Sequence, residues 1–95
     1  MDVKKAVSLA KNYLEDLFAD EKIYNIGLEE VSFNDQTKTW SVTVGFSRPW
    51  DEPPNSLVSI ARHIAYPARS YKVVEIVDAG STGEVTAVKN REIKS

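Results

Sequence analysis

Apolar residues in the first 22 positions recur every three to four places. Val3, Ala6, Val7, Ala10, Tyr13, Leu14, Leu17 and Phe18 share one face at helical period, with Lys4, Lys5, Ser8, Lys11, Asn12, Glu15 and Asp16 opposite. Asp2 precedes the run, where a carboxylate can accept from free first-turn N–H groups and suits the positive end of the helix dipole. The pattern predicts a helix over 1–22 that ends near 20–22. Leu9 falls off the stripe and is expected to be partly exposed.

The period then changes from 3.6 to 2. Trp40, Val42, Val44 and Phe46 alternate with Thr39, Ser41, Thr43, Gly45 and Ser47, the signature of a half-buried strand. The preceding run, about 26–33, changes parity: Ile26 and Leu28 fall on one side, Val31 and Phe33 on the other. One extra residue near Glu29 and Glu30 would restore a single apolar face, which is what a β-bulge does. The polar residues 34–38 supply the turn. A second hairpin closes the chain. Residues 71–77 are rich in β-branched types and predict a strand near the sheet centre, whereas 84–89 carry fewer large apolar residues and predict an edge. Between them, Gly80 and Gly83 can take positive φ.

The two hairpins are joined by an insert, residues 48–70, that holds all four prolines and none of the four glycines. Its first part, through Pro53 and Pro54, reads as extended. Asn55 or Ser56 can then cap a short helix with Leu57, Ile60, Ala61 and Ile64 on one face. Such a helix closes the domain's own core or docks on a partner, and both readings stay open.

The order is helix, two strands, insert, two strands. It predicts a single α+β domain over 1–95, an N-terminal helix packed on a four-stranded antiparallel meander. Helix residues Val7, Leu14, Leu17 and Phe18 are expected to bury against Trp40, Val42, Val44, Val74 and Ile76. The closing run, with Asp78, Thr82-Gly83-Glu84-Val85 and Val88-Lys89 after the 71–76 strand, resembles small bacterial domains of cystatin-like or PepSY-like shape. That resemblance covers about 20 residues, the hairpin 71–89. It implies an inhibitory or regulatory module and carries no catalytic residues.

Composition narrows the chemistry. With no cysteine, disulfides, thiolate metal sites and cysteine nucleophiles are excluded, and the single His63 excludes any two-histidine site. The start of the chain is charged and amphipathic, so no signal peptide is expected, and no apolar run is long enough to span a membrane. The net charge of −2 gives no general attraction to nucleic acid. It is unevenly placed: residues 1–47 carry eight acids and five bases, a net of −3, while 48–95 carry six acids and seven bases, a net of +1.

Several residues invite a functional reading beside a plainer one. Trp50 with Arg48 has the composition of a binding hot spot, though a loop tryptophan commonly folds back on its own domain. Arg62, His63, Arg69 and Lys72 lie in an acid-free stretch with Tyr66 and Tyr71, which resembles a single-strand nucleic-acid surface but also a solvated strand entrance. Glu29-Glu30 and Asp51-Glu52 are adjacent pairs, and neighbouring strand residues are expected to face opposite ways. The expectation is a non-catalytic, cytoplasmic interaction module of inhibitory or immunity-like kind, without cofactor or metal. It would bind a protein partner or form a homodimer through the insert, with Arg48, Trp50, Leu57, Ile60, Ile64, Tyr66 and Arg69 as contact residues. The alternative is a small-molecule binder or enzyme with a pocket between sheet and insert, lined by Trp50, His63, Tyr66 and Arg69.

Overall fold

A computed structural model describes residues 1–48 and 69–91, so the insert beyond Arg48 and before Arg69 lies outside the described residues. The chain forms α1 (Val3–Leu17), a 3-10 turn (Ala19–Glu21), β1 (Tyr24–Asn34), β2 (Thr39–Ser47), β3 (Ser70–Asp78) and β4 (Gly83–Asn90). The strands make one sheet in the order β1-β2-β3-β4, each pair antiparallel, with α1 across one face. This is the α+β meander expected from the pattern of the chain.

Helix α1 starts as anticipated. The Lys5 amide donates to the Asp2 carboxylate at 2.8 Å, satisfying one of the orphan donors of the first turn. Its buried seam is Ala6, Ala10 and Leu14, each fully excluded from solvent. Two alanines bring the helix backbone close to the sheet, and Leu14 fills the wider end. They meet Val42, Val44 and Phe46 of β2 and Val74 and Ile76 of β3 in one core.

Two expectations about the helix need correction. It ends at Leu17, not at 20–22, because Phe18 leaves helical geometry and the chain tightens into the 3-10 turn. Leu17 is 52% exposed instead of buried. The last turn places Phe18 onto the sheet in its stead, tilted against Phe46 at 5.5 Å between ring centres. Leu9 is partly exposed, as its position off the stripe predicts.

The irregularity in β1 is a bulge where the parity break falls. Leu28 pairs with Val44 and Glu30 with Thr43, so Glu29 is the extra residue, and a second register shift lies between Tyr24 and Gly27. The bulge puts Leu28, Val31 and Phe33 on the face that holds Val44, Val42 and Trp40. It also overturns the expectation for the acid pair. Glu30 stands opposite Thr43, and Glu29 Oε1 lies about 3.1 Å from where a Cβ on Gly45 would sit, so both acids belong to the face away from α1.

Of the two loop glycines, only Gly80 has positive φ, at 91°. Gly83 answers a different need. A Cβ there would run into the tip of the Met1 side chain and stand 2.9 Å from the branched Ile76 side chain, so close packing keeps the strand start bare. The two hairpin ends are joined where the Asp78 amide donates to the Lys38 carbonyl at 2.8 Å.

Candidate interaction surface

The helix seam is narrower than the apolar stripe of α1, and the surplus spills to both sides. Toward β1, Val3, Val7 and Leu28 line a cleft of about 440 Å³, with Lys4, Ser8 and Lys11 on its rim. Val3 and Leu28 are 44% and 43% exposed, large values for apolar side chains at the boundary of a core. Phe33, further along β1, is also exposed on one side and leans on Trp40 at 4.7 Å. Among the described residues, no acid lines this cleft.

Toward β4 there is a second cleft of similar size, about 460 Å³, lined by Leu9, Tyr13, Val85, Gly83 and Asn12. Among the described residues its charged members are Asp16 and Glu84, and no base lines it. The two flanks of one helix thus carry apolar clefts of opposite charge. The cause lies in α1, whose bases fall at 4, 5 and 11 and whose acids follow at 15 and 16.

Of the seven expected contact residues, two are described, and they stand on opposite faces. Arg48 continues the parity of Trp40 to Phe46 and lies on the helix side, its guanidinium 4.9 Å from the Phe18 ring centre and 5.3 Å from that of Phe46. It packs as part of the domain's own end. Arg69 shares the parity of Tyr71 on the other face, where it donates to the Asn25 carbonyl at 2.9 Å. There Arg69, Tyr71 and Glu29 close over Gly45, within 2.9–3.1 Å of an added Cβ. Arg91 stacks on the outer side of Tyr71, 4.1 Å from the ring centre. Trp50, Leu57, Ile60, Ile64 and Tyr66 lie outside the described residues, as does His63.

At the opposite end of the sheet, Asp78 gathers a polar network. Its carboxylate accepts from the Gly80 amide at 2.9 Å and from Trp40 Nε1 at 3.2 Å, with the Met1 ammonium 3.5 Å away. That ammonium donates to the Gly80 carbonyl at 2.7 Å. The Gly80 and Trp40 hydrogen bonds hold the Asp78 carboxyl below its ordinary 3.8; burial opposes them less strongly, and the Met1 ammonium adds a lesser lowering. The group ties the Met1 ammonium and β2 to the β3–β4 turn, a structural task.

Among the described residues, no group of three or more histidine, cysteine, aspartate or glutamate side chains is placed to hold a metal, and no helix is long and apolar enough to cross a membrane. What fold and surface define together is an α+β domain with one helix on a four-stranded antiparallel sheet and an apolar cleft on each side of that helix. No family model, curated protein or solved structure matches the chain.

Proposed function

We propose that this domain is a non-catalytic protein-interaction module, and that it binds through the flanks of α1 rather than through a chemical centre. The observation that supports this reading is the cleft of Val3, Val7 and Leu28, an apolar surface left open at a sheet edge and rimmed by lysines. Open apolar surface bordered by polar residues is one mark of a protein contact site. With the resemblance of the closing hairpin to PepSY-like modules, binding would serve inhibition or regulation.

The test is a photo-crosslinking residue at position 28 in the native host, with the same residue at exposed Gln36 as control. Adducts are expected at 28, absent at 36, and lost when Val3→Asp is added. Equal adduct yield at both positions, or adducts indifferent to Val3→Asp, would count against the cleft.

A second reading, a small-molecule binder, has one feature in its favour: Arg69, Tyr71 and Glu29 converge above Gly45 on the face away from α1. A ligand whose stabilising effect on melting disappears in Arg69→Ala would support it.

A further inference from the structure

The two clefts have the same size, the same apolar character and opposite charge, and they lie on opposite flanks of one helix. They also lie over the two edges of the sheet. Among the described residues no strand continues it beyond β1 or β4. We propose that the partner surface is a second copy of this chain, added head to tail, with the β1 flank of one copy against the β4 flank of the next.

Three observations carry this. First, the sheet has four strands in simple up-and-down order, so β1 and β4 run antiparallel to each other. A copy displaced sideways therefore presents β4 antiparallel to β1, the direction in which a meander continues. All helices then stay on the same side.

Second, the register brings complementary residues level. Following the pairings across the sheet, Glu30 is level with Thr43, Val73 and Lys89. Val31 is level with Val42, Val74 and Val88, and Phe33 with Trp40, Ile76 and Val85. At a head-to-tail contact these rows would set Glu30 beside Lys89, on the face away from α1, where Lys89 already pairs with Glu75 at 2.6 Å. On the helix face they would set Val31 beside Val88 and Phe33 beside Val85. The shift-free part of β1, from Glu30 to Asn34, supplies these rows.

Third, the charges select this arrangement over its alternatives. A two-fold dimer through the β1 flank would oppose Lys4 and Lys11 to themselves. One through the β4 flank would do the same with Asp16, and with Glu84 on the outer face of the same edge. Only the head-to-tail contact sets the lysine rim against the acidic rim, and like charges brought together select against wrong pairings. Such a contact is heterologous and does not close at two copies, so mass passes the dimer.

The inference rests on the reading of the clefts as protein-binding surfaces and is separable from it by sedimentation of the full chain. The wild type is expected to gain mass between about 10 μM and about 1 mM, passing the dimer. Lys4→Glu/Lys11→Glu and Asp16→Lys/Glu84→Lys each repel their own kind and should weaken association by about tenfold or more. All four substitutions sit at the surface, and unchanged melting of each variant confirms its fold. An equimolar mixture of the two variants restores both opposite-charge contacts and should recover the wild-type mass distribution. A wild type that stays monomeric to about 1 mM, or stops at a dimer that neither variant disturbs, overturns the proposal. If the monomeric chain still crosslinks from position 28 to a different protein, the homotypic contact alone has failed; if it crosslinks to nothing, both readings have.

Discussion

Strands β1 and β2 are hydrogen-bonded neighbours, yet they obey different constraints. β2 keeps strict alternation, and Val42, Val44 and Phe46 are fully buried beneath α1. Even its outward residues Thr43 and Ser47 are nearly excluded from solvent, each 6% exposed. β1 shifts register twice in 11 residues and leaves Leu28 and Phe33 partly open. A central strand has a partner on each side and a layer above it, so its sequence is held to one pattern. An edge strand has one partner, and its surplus apolar surface is available for something else.

The largest test of that contrast is in the core. Leu14→Ala removes the side chain over the buried strands and should cost about 2–5 kcal/mol, read from the denaturant midpoint. Leu28→Ser, at the edge, should change stability by no more than about 0.5 kcal/mol. Equal losses would erase the distinction between the strands and with it the case for an open binding flank.

Glycine sharpens the same comparison at smaller scale. Gly45 in β2 and Gly27 in β1 stand opposite each other in the register. A Cβ at Gly45 meets the Tyr71 ring at 3.0 Å as well as the tips of Arg69 and Glu29. The two tips can swing aside, but the ring is held under Arg91. Gly45→Ala should therefore cost about 1–3 kcal/mol. At Gly27 the nearest atom is 3.7 Å away, an ordinary contact. Gly27→Ala should be neutral or stabilising by up to about 1 kcal/mol through the unfolded chain. A pair of thermal melts decides it, and the reverse order would mean that the edge, not the centre, is the close-packed strand.

These differences also explain what could be read from the chain beforehand. The strands, their order and the bulge at Glu29 followed from side-chain period, because a one-residue slip would turn Val31 and Phe33 to the wrong face. The clefts did not. Helical period gives the direction of Val3, Val7 and Leu17 about the axis, but not how far the sheet extends beneath them. Nor does it show that two alanines would carry the closest approach. The opposite placement of Arg48 and Arg69 was within reach, since one continues the parity of Phe46 and the other that of Tyr71. The close approach over Gly45 was not, because it depends on Arg69 and Glu29, 24 and 16 positions away in the chain.

The smallest expected effect lies where β2 is fixed and β1 only leans. Trp40 is anchored by its hydrogen bond to Asp78, whereas Phe33 rests on the Trp40 ring without a polar tie among the contacts described. Because the Asp78 carboxyl is held below 3.8 in the fold, its ionised form is favoured by folding. That contribution is complete well above pH 3.8 and is lost as pH falls through the lowered folded value. Asp78→Asn keeps an oxygen for the Gly80 amide and removes the charge. The variant should be less stable than the wild type near neutral pH, and the gap should close as pH falls below 3.8. Tryptophan fluorescence of a Trp50→Phe background, followed against pH, reports on Trp40 alone. If the gap persists undiminished at low pH, the carboxylate acts by shape rather than charge, and the anchoring of β2 must be sought in the packing around Trp40.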